Sequence, residues 1–158
     1  MVRLKARYIL FDVIYPNLEK EQENYLKKTC LLQHHSTSQN VNLRALSELV
    51  KRNIQLLFGD QGYGTAGISI IVKYFSQKTS TGIIRCSREY YKLICAALTI
   101  INKLNGKDVI FRIIKISGTI RKCEQSAIDR NKKLMKELKL KEFEQDDFSK
   151  ISEDEDED

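Results

Sequence analysis

Apolar and polar residues alternate along this chain with two different periods, and the switches between them mark out its elements. Over residues 3–15 the period is two. Leu4, Ala6, Tyr8 and Leu10 fall on one face, and Ile9, Phe11 and Val13 fall on the other together with Arg3, Lys5 and Arg7. That is a strand, apolar along its length and basic at its leading end. Pro16 and Asn17 stop it, because proline has no amide to continue a ladder. Residues 18–40 are polar and carry no clear period, which predicts a loop-like excursion or a short helix.

From residue 42 the period becomes helical. Asn42 reads as an N-cap, Leu43, Leu46, Val50, Ile54 and Leu57 form the inward stripe, and Gly59 is the expected stop. Residues 68–75 and 82–86 are short β-rich runs joined by residues 76–81, a length suited to a hairpin. Ser87 is the expected cap of a second helix, with Glu89 in its first turn and Tyr90, Leu93, Ile94, Ala97, Leu98 and Ile101 turned inward. Asn105-Gly106 is its expected end. Residues 109–120 predict a fourth strand interrupted or bent at Gly118. Residues 124–140 predict a third helix, with Ala127, Ile128, Leu134, Met135 and Leu138 inward and Lys132, Lys133, Lys136 and Lys139 outside. The order β-α-β-β-α-β-α is that of an α/β sandwich of ferredoxin-like, RRM-like type with an added C-terminal helix.

Charge changes this picture from a fold into a function. Residues 1–140 hold 25 Lys and Arg against 11 Asp and Glu, whereas residues 141–158 hold 2 against 10. A strongly basic body of one domain, residues 1–140, therefore precedes an acidic tail expected to be disordered. A positive field of that size attracts polyanions, which makes RNA or DNA the first expectation. Residues 153–158 are an unbroken acidic run, read as a solubilising tail or as a tether that competes with nonspecific RNA for the body.

Several chemistries find no support. Cys30, Cys86, Cys95 and Cys123 show no C-x-x-C spacing and no His at finger distance, so no metal site is expected and reduced, intracellular thiols are. His34-His35 stands in a polar stretch without a carboxylate or thiol at ligand spacing. No serine or cysteine has a recognisable base, so no catalytic residue is assigned. Residues 62–67 spell G-x-G-x-x-G, but after a helix and before a strand, the reverse of a dinucleotide site; a flexible, open turn with exposed amides, able to touch RNA backbone, is expected there. The longest nearly apolar run, residues 93–101, is too short to span a bilayer, and the N-terminus lacks an apolar signal core. A soluble protein without a secretory address is expected. RRM-type base stacking is not expected either, since Thr81-Gly82-Ile83-Ile84-Arg85-Cys86 contains no aromatic ring.

Three stretches carry a resemblance. Met1-Val2-Arg3-Leu4-Lys5-Ala6-Arg7-Tyr8, then Thr81-Gly82-Ile83-Ile84-Arg85-Cys86-Ser87-Arg88 with Ala97-Leu98 behind it, and Ser117-Gly118-Thr119-Ile120-Arg121-Lys122-Cys123 resemble, in order, the POP-five family of ribonuclease P and ribonuclease MRP protein subunits. The resemblance runs to about residue 130 and leaves out residues 18–40 and the tail. It implies a non-catalytic subunit of a particle whose RNA, using its own magnesium ions, removes the 5′ leader of precursor tRNA or processes precursor rRNA. The protein itself would bind no cofactor. It would bind and stabilise the catalytic domain of the ribonuclease P and MRP RNAs, beside a TIM-barrel-like subunit and other basic subunits, in the nucleus and nucleolus. On that footing Arg3, Lys5 and Arg7 are the first expected RNA contacts. Arg85 and Arg88, flanking the second helix start, are expected to grip a phosphate, and Arg121 and Lys122 to be aimed at RNA by a bent strand end. Another basic RNA binder, of a ribosome-related or chromatin particle, is the alternative; a ferredoxin-like enzyme or dimer module with incidental charge is a third.

Overall fold

The computed structural model describes residues 5–16, 37 and 41–138. Strand β1 spans Ala6–Ile14. Helix α1, Leu43–Gly62, is followed directly by a π-helical turn, Tyr63–Gly67. Strands β2, Ile71–Ser76, and β3, Thr81–Ser87, form a hairpin, and helix α2 covers Tyr91–Ile100. A two-residue pair, β4 Lys103–Leu104 and β5 Lys107–Asp108, precedes β6, Ile110–Ser117, and helix α3, Ile120–Leu138. The main sheet is ordered β2-β3-β1-β6, antiparallel throughout, which is the ferredoxin-like order with an added C-terminal helix.

The alternation in β1 gives the sheet two apolar faces. Ile9, Phe11, Val13 and Tyr15 enter the larger core, where Leu46, Val50 and Ile54 of α1 and Ile94, Ala97 and Leu98 of α2 close over them. Gly82 stands beside Phe11 in this layer. A Cβ there would lie 2.5 Å from the Phe11 ring and 3.0 Å from Phe75, so only glycine admits the Phe11–Phe75 stack. Tyr8 and Leu10 face the other way and are covered, with Ile83, by Ile120, Cys123 and Ala127 of α3.

Several boundaries differ from expectation, each for a local reason. Asn42 does cap α1, its Oδ1 accepting from the Ala45 amide at 2.8 Å. Gly59 does not end the helix: its backbone turns aside at φ 68°, and helical geometry resumes to Gly62. Leu43 and Leu57 are not in the inward stripe but 43% and 40% exposed. The G-x-G-x-x-G stretch is no open turn. It is wound into the π-helical turn, with Gly62, Ala66 and Gly67 buried. Ser87 pairs with Ala6 as the last residue of β3, and its Oγ and carbonyl oxygen accept from the Glu89 and Tyr90 amides to make a turn, so α2 begins only at Tyr91. Asn105 and Gly106, at φ 50° and 76°, form the two-residue turn of the β4–β5 hairpin rather than a helix end. Strand β6 stops at Ser117, whose Oγ accepts from the Thr119 amide, and α3 starts at Ile120 because that side chain is drawn onto Tyr8 and Leu10.

Thr37 marks where the chain returns from the segment after β1. Its hydroxyl accepts from Tyr15 Oη at 3.1 Å and bonds Ser80 Oγ at 2.7 Å, while its amide donates to the Gln77 carbonyl at 2.7 Å. Burial pushes the Tyr15 phenol above its ordinary pKa, with the Thr37 hydroxyl pulling the other way. His34, His35, Cys30 and the acidic tail lie outside the described residues.

Candidate nucleic-acid interface

Antiparallel pairing decides which cations meet. The register Ala6↔Ser87, Arg7↔Cys86 and Tyr8↔Arg85 sets the start of β1 beside the end of β3, and Tyr8↔Ser117 sets it beside the end of β6. Three strand ends and the first turn of α3 therefore coincide. Lys5, Arg7, Arg85, Arg88, Arg121 and Lys122 all belong to this one end of the sheet, although they come from sequence positions more than a hundred residues apart. Arg3 lies outside the described residues.

Each of the six is held differently. Lys5 is exposed, and its carbonyl accepts from the Arg88 amide at 3.0 Å, which ties the two residues together. Arg7 is half-buried: Nη1 donates to the Ala6 carbonyl at 3.1 Å and sits 3.3 Å from where a Cβ on Gly118 would be, so the bare glycine leaves room for the guanidinium. Arg85 points from β3 toward the α3 side, in the same row as Tyr8, with its Nε buried and without a hydrogen-bond partner. Arg88 is exposed in the turn before α2. Arg121 and Lys122 are exposed on the first turn of α3, which carries no acid. They are helix residues rather than the bent strand end expected, and they add to the positive partial charge of a helix N-terminus. Likewise, the amides of α2 begin three residues beyond Arg88 and do not open at Ser87.

Among the described residues Lys5, Arg7, Arg85, Arg88 and Lys122 form no ion pair. The acids nearby in sequence are Glu89, exposed, and Glu124, buried. Beneath the cations the floor is neutral. Cys86 Sγ donates to the Arg7 carbonyl at 3.6 Å, and Cys123 Sγ donates to the Tyr8 carbonyl at 3.5 Å. Burial pushes the Cys86 thiol up to about 12 and the Cys123 thiol up to about 11, so neither is a thiolate near neutrality. No group of three or more potential metal ligands occurs among the described residues, and none of their helices is long and apolar enough to cross a membrane.

Sequence reasoning missed a second ionic centre. Asp12, 1% exposed, accepts from Arg112 Nε at 3.1 Å and Nη2 at 2.6 Å, and from Arg130 Nη2 at 2.7 Å. One carboxylate thus holds a cation of β6 and a cation of α3, and fastens the helix to the sheet. Burial lowers the pKa of Arg130, and Asp12 opposes that shift. The available signal was Asp12 itself, a lone acid on the Leu10 face of an apolar strand. The consequence for RNA is direct: α3 lies over the central strands, and Tyr8 is only 7% exposed. The face on which an RRM stacks bases is closed in this arrangement.

Comparison with known proteins places the chain. The Rpp14/Pop5 family matches residues 7–128. The ribonuclease P/MRP protein subunit POP5 of Schizosaccharomyces pombe is 40% identical over 140 residues, covering 89% of this chain and 95% of that protein. The Saccharomyces cerevisiae protein of the same name is 42% identical over 142 residues, 88% and 82% of the two chains. Ribonuclease P protein component 2 of Pyrococcus horikoshii is 34% identical over 80 residues, 51% of this chain and 65% of that one. With a family match across most of the described fold and two relatives aligned over nearly its whole length, this chain belongs to the Rpp14/Pop5 family of ribonuclease P and MRP protein subunits.

Proposed function

We propose that this chain is a non-catalytic protein subunit of ribonuclease P and ribonuclease MRP, and that the basic end of its sheet binds and stabilises the catalytic domain of the particle's RNA. The observation that carries the reading is the convergence of six cations at one end of a sheet whose stacking face is covered. Such a surface suits phosphate and ribose contacts, which fix the position of a folded RNA and follow its shape. In this reading the RNA holds the magnesium ions that cut the 5′ leader from precursor tRNA or process precursor rRNA. Lys5, Arg7, Arg85, Arg88, Arg121 and Lys122, with Arg3 ahead of them, screen phosphate repulsion so that substrate and RNA meet in a fixed geometry. A TIM-barrel-like subunit and other basic subunits complete the particle, in the nucleus and nucleolus.

Omission and reconstitution test this. Purified chain incubated with precursor tRNA and magnesium is expected to leave the substrate intact. The cognate RNA with its full protein set is expected to remove the leader, and omission of this chain to raise the magnesium concentration required. Leader removal by the chain alone, after all RNA but fresh substrate has been destroyed, overturns the reading.

A further inference from the structure

The basic end has a candidate occupant within the same chain. We propose that the acidic run at residues 153–158 docks on this surface and shields it from weak polyanions, yielding to an RNA that engages the whole surface. The proposal rests on the assignment of the basic end as the RNA interface, and concerns the regulation of that same site.

Charge complementarity is the first argument. Lys5, Arg7, Arg85, Arg88 and Lys122 have no carboxylate partner among the described residues, while residues 153–158 are six consecutive carboxylates with no intervening cation. Reach is the second. Helix α3 starts at the basic end and runs 19 residues to Leu138, a length of about 28 Å. The stretch from Leu138 to Glu153 extends up to about 50 Å, so the acidic run can return along the helix with slack to spare. Covalent attachment then presents it at an effective concentration on the order of a millimolar, which makes a weak ionic contact populated.

A competing dock lies nearer. Lys132, Lys133 and Lys136 are exposed on the later half of α3. They sit toward the helix C-terminus, where the backbone dipole disfavours carboxylates, and Asp129 precedes Lys132 and Lys133 by three and four residues on the same side. The basic end has the opposite dipole, since it holds the N-terminus of α3 with no acid in its first turn.

The test uses the full-length chain in four forms. These are the natural sequence, a neutral run (Glu153→Gln, Asp154→Asn, Glu155→Gln, Asp156→Asn, Glu157→Gln, Asp158→Asn), a reduced basic end (Lys5→Ala, Arg88→Ala, Lys122→Ala), and the two combined. Binding to a polyuridylate of about 30 nucleotides is read by fluorescence anisotropy at about 50 mM and about 500 mM salt. Neutralising the run is expected to tighten binding about five- to tenfold at low salt and to have no effect at high salt. In the reduced basic-end background the same change is expected to tighten binding less than about twofold. Equal tightening in both backgrounds overturns the proposal, because the run then acts through the α3 lysines or through net charge alone. So does no tightening, when the basic-end substitutions by themselves weaken RNA binding. If those substitutions leave RNA affinity unchanged, the interface assignment fails first and the docking site with it.

Discussion

The two ends of one sheet use arginine in opposite ways. Around Asp12, Arg112 and Arg130 are turned inward onto a carboxylate that is 1% exposed, and their charge serves to hold α3 against β1 and β6. At the other end of β1, Arg7, Arg85 and Arg88 meet no carboxylate among the described residues. A guanidinium beside a buried acid fixes the fold; one without such a neighbour remains available to an outside anion. The count of 25 basic residues in the body therefore overstates the surface open to RNA, and the arrangement of the acids decides which of them remain.

The largest expected effect comes from abolishing the contrast at the buried end. Asp12→Ala leaves Arg112 and Arg130 facing each other without their acceptor, and is expected to destabilise the protein by about 3–5 kcal/mol in urea unfolding. A loss under about 1 kcal/mol would mean that water reaches both guanidiniums and that α3 is held by its apolar contacts alone. At the open end the pattern reverses. The triple substitution Lys5→Ala, Arg88→Ala, Lys122→Ala removes exposed cations and is expected to change stability by less than about 1 kcal/mol. It should lower the slope of log affinity against log salt for the cognate RNA by about 2 to 3. An unchanged slope would move the RNA contacts elsewhere on the body.

Arg85 sharpens the comparison further, because it stands between the two situations: half-buried, yet with an Nε that has no partner. Arg85→Met keeps its apolar contacts and removes a poorly satisfied charge, so thermal stability is expected to hold or rise by up to about 1 kcal/mol while RNA affinity falls. The last effect is confined to alkaline pH and concerns the neutral floor. Cys86 and Cys123 hold their protons to about 12 and about 11 in the folded state, against an ordinary 9.0. Their contribution is complete below pH 9 and is lost as pH rises from there toward 11 and 12. Each thiol adds at most about 1.4 kcal/mol per pH unit to the alkaline fall in stability. Cys86→Ala with Cys123→Ala is expected to flatten that part of the curve in pH-dependent unfolding.

What the sequence revealed follows the range of the forces involved. Period-two and helical alternation are local, so β1, the Leu46, Val50 and Ile54 stripe and the ferredoxin-like order could be read directly. Asn42 and the 105–106 turn carry local chemistry as well, though the turn's two-residue strands are too short to show a period. The ends of elements were set by partners distant in sequence. Ser87 extends β3 because Ala6 lies opposite, and Ile120 opens α3 because Tyr8 and Leu10 need a cover. The six cations could be named one by one, but their convergence depends on strand register. The Asp12 centre joins residues 100 and 118 positions apart, and nothing in the spacing of Arg112 or Arg130 distinguishes them from a surface arginine.

Thr37 gives the fold a practical property. Because its hydroxyl meets Tyr15, and because its amide and hydroxyl meet the β2–β3 turn, the chain leaves β1 and comes back to nearly the same spot 22 positions later. Lys78, exposed in that β2–β3 turn, is thus a practical place to attach a fluorophore or a crosslinker in an assembled particle. Both chain ends would stay native, and the label would sit beside Ser80 and Gln77, on the opposite end of β3 from Arg85 and Arg88.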